Sequence, residues 1–171
     1  GSFCSMLSSI LTEAGYKTGL YTSPYVLCFR ERMQVNGEPI SNEKLAELCE
    51  YVKPIADKLT DKPTEFELIT AIAFEYFKRK GCDIVVLEVG MGGELDSTNV
   101  IDCPEVAVIT NIGLDHTDVL GKTTEQFSSG EVAYLLSQGC TVGEGEDAVT
   151  YPGDIWGQNI DGEGEKNAYP V

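Results

Sequence analysis

The sequence is poor in several residue types, and each shortage excludes a class of function. The chain of 171 residues has one histidine, and its 12 lysines and arginines face 28 aspartates and glutamates, for a formal net charge of −16. This deficit argues against a nucleic-acid partner, because lysine and arginine supply most of the affinity for phosphate backbones. No apolar run approaches the roughly 18 residues of a membrane-spanning helix, so we expect no membrane partner.

The cysteines lack the close spacing of a metal or redox motif. Six are present, and no two of them form a C-x-x-C pair. Zinc and dithiol sites need such pairs. Scattered thiols are typical of proteins in reducing compartments, so we predict reduced cysteines and a cytoplasmic location.

Three stretches have the apolar spacing of amphipathic helices. They cover residues 3–14, about 42–59 and the segment after Thr64. Thr64 and Glu67 fit a capping box, in which a hydroxyl and a carboxylate satisfy each other's backbone N–H groups. Gly81 is placed to end this third helix.

Predicted strands alternate with these helices. Runs rich in valine and isoleucine at residues 82–90 and 105–113 suit strands that are covered on both faces. A shorter strand runs into Ser23, and Asn36-Gly37 predicts a turn. The alternation predicts an α/β fold, with a mainly parallel sheet and flanking helices.

The apolar periodicity fades near residue 128. Residues 128–171 are rich in glycine and acids, with no convincing helix and at most one weak strand towards the end. We therefore predict a partial α/β domain over residues 1–127 and an irregular tail over residues 128–171.

Polar residues follow three predicted strands, where ligands bind in open α/β sheets. Glu88 ends one strand, His116 follows another and Ser23 follows the third. If these strands are neighbours, the three side chains form part of a metal site. Each also has a structural interpretation, as a solvated or capping acid, a structural histidine and a Ser-Pro turn.

The glycines after Glu88 allow a competing interpretation. "VGMGGEL" resembles the dinucleotide fingerprint G-x-G-x-x-G, but Leu95 occupies the place of the third glycine. The residues that follow do not have a helical pattern, so a pyrophosphate would lack its helix N-terminus.

Five segments, in the same order and spacing, resemble the folylpolyglutamate synthase/dihydrofolate synthase family of the Mur ligase superfamily. They are "GYKTGLYTSPYV", "FRERMQVNGEPIS", "TEFELITAIAFEYF", "LEVGMGGELDSTNVI" and "VITNIGLDHTDVLG". The likeness covers about residues 1–126. It implies a P-loop ATPase domain of the Mur ligase type, which a smaller C-terminal domain follows in that family.

The resemblance also implies a reaction. Enzymes of this family use MgATP to phosphorylate a carboxylate of folate, and the amine of L-glutamate then attacks the acyl phosphate. Some members also join dihydropteroate to glutamate. ATP, L-glutamate and folate or dihydropteroate are therefore the expected partners, Mg²⁺ is the expected cofactor, and we expect a monomer.

The family motifs assign roles to residues of this chain by resemblance. Ser23, Glu88 and His116 match the magnesium ligands. Gly1 and Ser2 match the end of the phosphate loop, and they join Asn111 as expected nucleotide-binding residues. The expected substrate-binding residues are Thr64, Glu65, Phe66, Glu67, Leu95, Asp96 and Ser97. No catalytic residue is assigned.

The chain departs from the family pattern at several places. The lysine of the phosphate loop is missing, and Glu131 falls where the family has a carbamylated lysine. Tyr25 and Glu94 replace a histidine and an arginine of some members. Our interpretation is a fragment that begins inside the phosphate loop, with a tail from a shifted reading frame or an unrelated junction. We expect such a fragment to be inactive alone and to bind ATP weakly.

Two other functions fit parts of the sequence. A Mur-type ligase could act on a cell-wall precursor, although "TSPYV" and "FRERMQVNGE" are typical of the folate branch. A non-catalytic remnant or binding module would fit the missing lysines.

Overall fold

The computed structural model describes residues 1–93, 95–101, 104–108 and 110, together with the backbone of three short strands nearer the C-terminus. The chain divides into two compact units, Gly1–Gly90 and Met91–Val171. Among the expected site residues, Asn111 and His116 lie outside the described residues, as do Glu94 and Glu131.

The first unit combines helices with one four-stranded sheet. Its helices are α1 (Ser2–Glu13), α2 (Asn42–Ala56) and α3 (Glu65–Lys80). Its strands are β1 (Thr18–Tyr21), β2 (Met33–Val35), β3 (Glu38–Pro39) and β4 (Ile84–Leu87). A 3₁₀ turn over Phe29–Arg32 leads into β2. The α/β prediction is confirmed.

The sheet of this unit is mixed, where the sequence predicts a mainly parallel one. Its strand order is β3-β2-β1-β4. Strands β1 and β4 are parallel, with Leu20 opposite Val86, whereas β1–β2 and β2–β3 are antiparallel. The turn at Asn36 and Gly37, whose φ angles of 51° and 79° suit a tight hairpin, makes β2 and β3 antiparallel. The connection over residues 22–32 reverses the chain once more, so that β2 also runs antiparallel to β1.

The predicted ends of α3 are confirmed. The Thr64 hydroxyl accepts the N–H of Glu67 at 3.3 Å, and a Glu67 carboxylate oxygen accepts the N–H of Thr64 at 2.6 Å. Gly81 follows the helix in the left-handed conformation, with φ of 62°. Helix α1 matches its predicted range within one residue, and α2 ends at Ala56, before the predicted residue 59.

The core of the first unit lies between the sheet and the helices α2 and α3. It consists of Tyr21, Met33, Val35, Ile40, Leu48, Ile69, Ile72, Ala73, Tyr76 and Phe77. Gly19 lies under the ring of Phe77, so close that a Cβ atom at this position would be 2.8 Å from Cδ1 of the ring. Real Cβ atoms do not pack at this distance. Strand β1 therefore approaches α3 closely because residue 19 has no side chain.

The described strands of the second unit are short. They are β5 (Ala107–Val108), β6 (Cys140–Val142), β7 (Val149–Tyr151) and β8 (Ile155–Trp156). Strand β5 pairs parallel with β8, and β6 pairs antiparallel with β7. The prediction of at most one weak strand towards the end was wrong, because β7 and β8 both form there. Strands of two or three residues are too short to show a period of two in the sequence.

None of the helices in the described segments combines the length and the apolar character that crossing a membrane requires.

Candidate active site

Glu88 lies directly after β4, at the carboxyl ends of the parallel strands β1 and β4. Its backbone N–H donates to the carbonyl oxygen of Tyr21 at 2.9 Å, which continues the pairing of the two strands by one residue. Oε2 of Glu88 accepts the backbone N–H of Ser23 at 2.9 Å. Strand pairing therefore brings together two of the three residues that the sequence places in a metal site.

The N-terminus of α1 lies at the same place. The backbone nitrogen of Gly1 donates a hydrogen bond to Oε1 of Glu88. The first helical hydrogen bond follows, from the N–H of Ser5 to the carbonyl oxygen of Gly1 at 2.9 Å. No side chain caps this end, and the first turn contains no acidic residue. The end of the helix that attracts anions therefore lies beside the carboxylate.

These groups suit a hard cation next to a phosphate. The Ser23 hydroxyl and the Glu88 carboxylate contain oxygen donors, the type of ligand that Mg²⁺ prefers. Both residues are half-buried, and the Glu88 side chain is 21% exposed. Within the residues that the structure describes, no cluster of three His, Cys, Asp or Glu side chains is placed to hold a metal ion. The described part of the chain thus places two oxygen-bearing side chains beside a helix N-terminus.

Cys4 belongs to the surroundings of this site, although it was not among the predicted site residues. Burial raises the pKa of the Cys4 thiol above its ordinary value of 9.0, and the negative charge of Glu88 raises the pKa further. The thiol is therefore protonated at neutral pH and is a poor nucleophile. Its position one helical turn after Gly1 is the signal that could have identified it.

Glu31 fixes the loop that follows Ser23. Its carboxylate accepts the backbone N–H groups of Val26 at 3.0 Å, Leu27 at 2.9 Å and Cys28 at 2.7 Å. One side chain thus satisfies three neighbouring donors that strand pairing leaves free. Sequence analysis missed this residue. The spacing from Cys28 to Glu31, which is that of a capping box, was the available signal.

We predict that acid loosens this loop. The backbone N–H groups of Val26 and Leu27 hold the pKa of Glu31 below its ordinary value of 4.5. Because the folded-state pKa is the lower one, the stabilisation is present above about pH 4.5 and is lost as the pH falls through the folded-state pKa. Hydrogen exchange of the amides of Val26, Leu27 and Cys28, corrected for intrinsic rates, should accelerate over this range.

The matched variant for this prediction is Glu31→Gln. In this variant the three amides should exchange rapidly, because a neutral glutamine accepts hydrogen bonds more weakly than a carboxylate does. The exchange should also not depend on the titration of residue 31, because glutamine does not change charge. Identical pH profiles in the parent chain and the variant would show that Glu31 does not control the loop.

The first group of expected substrate-binding residues forms the start of α3. Thr64 and Glu67 form the capping box, while Glu65 is exposed. The ring of Phe66 is tilted against that of Tyr21, with 6.2 Å between the centroids. Thr70 donates to the carbonyl oxygen of Phe66 at 2.8 Å and lies 3.0 Å from the Tyr21 hydroxyl. These contacts connect the start of α3 to the last residue of β1. Substrate binding here remains a prediction.

The second group lies in a turn of the second unit. Oδ2 of Asp96 accepts the N–H of Met91 at 2.9 Å, and Oδ1 accepts both the N–H and the hydroxyl of Thr98, at 2.9 and 2.6 Å. Leu95 is 96% exposed, whereas Ser97 is half-buried. Asp96 therefore organises the turn that carries both neighbours. Binding of a substrate by these residues also remains a prediction.

The glycine loop does not have the geometry of a dinucleotide site. Gly92 and Gly93 adopt φ angles of 76° and 138°, which suit a tight turn. Turns and bends continue over the described part of residues 91–99, so no helix begins after these glycines. A pyrophosphate bound here would lack the helix N-terminus that the dinucleotide motif requires.

Comparisons with known proteins identify the family of this chain. The family described as "Mur ligase middle domain" matches residues 2–129. The dihydrofolate synthase/folylpolyglutamate synthase of Bacillus subtilis (strain 168) is 43% identical over 175 residues, which cover 99% of this chain and 39% of that protein. The chain thus spans about two fifths of the length of this relative.

Solved structures agree in fold. An FPGS–AMPPCP–folate complex has a TM-score of 0.76 and 37% identity, covering 79% of this chain and 34% of that one. E. coli FolC in complex with DHPP and ADP has a TM-score of 0.73 and 38% identity, covering 77% of this chain and 31% of that one.

The comparisons differ in how they treat the tail. The family match ends at residue 129, close to the predicted boundary at residue 127. The alignment with the B. subtilis relative covers 99% of the chain and so continues through the tail. This alignment does not favour an unrelated origin for residues 128–171. The domain boundary itself remains a prediction.

Proposed function

Because the chain belongs to the Mur ligase family through its middle domain, we propose that the whole protein is an ATP-dependent ligase that adds L-glutamate to a folate. The observation that carries the proposal is the meeting of Glu88, Ser23 and the N-terminus of α1 at the carboxyl ends of β1 and β4. Relatives named as folylpolyglutamate synthases, together with the FPGS–AMPPCP–folate complex, support the choice of substrates.

The proposed reaction has two steps. The substrate carboxylate attacks the terminal phosphorus of ATP, ADP leaves, and an acyl phosphate forms. The amine of L-glutamate then attacks the acyl carbon, phosphate leaves, and the amine loses a proton to give the amide. Mg²⁺, when bound, neutralises charge on the transferring phosphate.

We assign the residues of this chain to that reaction as follows. Ser23 and Glu88 would hold the metal ion together with His116. The backbone N–H groups at the start of α1, at Gly1 and Ser2, would bind a phosphate oxygen, because a helix N-terminus favours negative charge. Asn111 would contact the nucleotide. Residues 64–67 and 95–97 would contact the pterin-bearing substrate.

The proposal also includes a second acceptor substrate and a cellular location. Dihydropteroate is a second candidate substrate, supported by the bifunctional name of the B. subtilis relative and by the FolC structure with DHPP. A cytoplasmic location agrees with the free cysteines of the described residues, Cys4, Cys28, Cys49 and Cys82.

The test is a substrate comparison on the full-length protein that contains this chain. ADP release is measured with MgATP, L-glutamate and one of three acceptors: tetrahydrofolate, dihydropteroate or a UDP-sugar peptide. We expect turnover with tetrahydrofolate and none with the UDP-sugar peptide, and turnover with dihydropteroate would add the second activity. Turnover with the UDP-sugar peptide alone would overturn the folate assignment, and no turnover with any acceptor would overturn the ligase assignment.

A further inference from the structure

A pocket of about 300 Å³ lies in the first unit, away from Glu88. Lys17, Lys44, Lys80, Ser41 and Tyr76 are among the residues that line it. We call it the lysine pocket. Lys17 immediately precedes β1, Ser41 caps the start of α2, and Tyr76 and Lys80 belong to the last turns of α3.

The lysine pocket and the Glu88 site lie at opposite ends of strand β1. Lys17 precedes the first residue of β1, whereas Ser23 follows the last one. With a rise of about 3.3 Å per strand residue, the six steps between these two residues correspond to roughly 20 Å. The two sites are therefore separate, and an ATP phosphate held at α1 does not occupy the lysine pocket.

The charges of the lysine pocket favour an anion. It has three ammonium groups and one carboxylate, that of Glu38. Lys44 pairs with Glu47 at 2.5 Å, and the Lys17 ammonium donates to the carbonyl oxygen of Lys80. Among the described residues, neither Lys17 nor Lys80 forms an ion pair with a carboxylate. Two positive charges thus lack a negative partner in a chain with a net charge of −16.

Tyr76 adds a hydroxyl group to the lining of the lysine pocket. Its side chain lines the lysine pocket, yet the residue is only 4% exposed. Its hydroxyl has no hydrogen-bond partner within the described residues, whereas the hydroxyl of Tyr21 lies 3.0 Å from Thr70. Among the described residues, the one fully buried side-chain polar atom without a partner is Nε of Arg32, so the Tyr76 hydroxyl is reached from the pocket. The hydroxyl can therefore donate to an acceptor that binds there.

The N-terminus of α2 adds to the positive potential of the lysine pocket. Ser41 caps α2, and its hydroxyl oxygen accepts the N–H of Lys44 at 3.2 Å. The N-terminal end of this 15-residue helix, which attracts negative charge, therefore lies at the lysine pocket. The lysines, the Tyr76 hydroxyl and the N-terminus of α2 all favour a negatively charged ligand.

We propose that the lysine pocket binds a small multivalent oxyanion, with Lys17 and Lys80 pairing with its charge and the Tyr76 hydroxyl donating a hydrogen bond to it. Phosphate compounds and polycarboxylates share this chemistry. The site is distinct from the nucleotide and metal positions that we assign at Glu88, and the proposal does not depend on the ligase function.

The test is calorimetric titration of the 171-residue chain with pyrophosphate, and separately with citrate, in a buffer freed of metal ions by passage over a chelating resin and containing no other multivalent anion. We expect at least one of the two anions to bind with a stoichiometry of one. The variant Lys17→Gln/Lys80→Gln should weaken this binding about tenfold or more, and Tyr76→Phe about threefold. Comparison of the two anions then shows whether the lysine pocket prefers phosphate or carboxylate oxygens.

The matched control is Lys58→Gln, which removes one positive charge from an exposed residue after α2 that does not line the pocket. It should bind as tightly as the parent chain. Unchanged affinity in the double variant would place the anion elsewhere, for example at the start of α1, and would overturn the proposal. Absence of binding to the parent chain would do the same. Circular dichroism checks that each variant is folded, and Tyr76→Phe keeps the test available if the double variant is not.

Discussion

Replacement of Glu88 by glutamine is expected to reduce the glutamate addition that we propose for the full-length protein by a factor of about 100 or more. The carboxylate lies at the carboxyl ends of β1 and β4, beside Ser23 and the N-terminus of α1. Glutamine keeps the shape and the acceptor for the Ser23 N–H, but it loses the charge that attracts a divalent cation. The measurement is steady-state ADP release over a range of Mg²⁺ concentrations, and excess Mg²⁺ should recover part of the lost rate.

Glu50→Gln is the control for this prediction. Glu50 is exposed on α2, and its replacement also removes one negative charge. Its activity and its Mg²⁺ dependence should equal those of the parent protein. If Glu88→Gln stays folded and keeps more than a tenth of the activity, with an unchanged Mg²⁺ dependence, then Glu88 does not hold the metal ion.

The largest loss of stability is expected from Leu48→Ala. Leu48 is 0% exposed and is the buried residue of α2 in the core of the first unit. Removal of its side chain leaves a cavity between α2 and the rest of that core. Buried leucines replaced by alanine typically cost about 2–5 kcal/mol. Urea unfolding of the chain should show this decrease in the free energy of unfolding.

Leu59→Ala is the matched control for this prediction. Leu59 follows α2 and is 50% exposed, so it has less apolar surface to lose. We expect a decrease of about 1 kcal/mol or less, since surface substitutions usually have small effects. Equal losses in the two variants would mean that α2 is not anchored through Leu48.

The parts of the fold that depend on local chemistry could be predicted from the sequence. The cap of α3 follows from the three-residue spacing of Thr64 and Glu67, and its end follows from Gly81. The meeting of Ser23 and Glu88 was also predictable, because parallel strands bring their carboxyl ends to the same edge. Local spacing and one rule of sheet topology are sufficient for these features.

Features that depend on distant or very short segments could not be predicted. The mixed sheet results from a hairpin that adds β2 and β3 to the edge of β1, and β7 and β8 are too short to leave a pattern. The lysine pocket combines Lys17, Lys44 and Lys80 from three separate elements. In the sequence, each of these lysines is indistinguishable from an ordinary solvated charge.

The contact between Gly19 and Phe77 has a consequence for sequence change. Because a Cβ atom at residue 19 would lie 2.8 Å from the ring, these two positions share a fixed volume. A larger residue at position 19 clashes with the ring unless residue 77 is smaller. A smaller residue at position 77 leaves a cavity unless residue 19 is larger, so the two substitutions compensate each other. We therefore expect residues 19 and 77 to change together during evolution, or residue 77 to become smaller before residue 19 becomes larger.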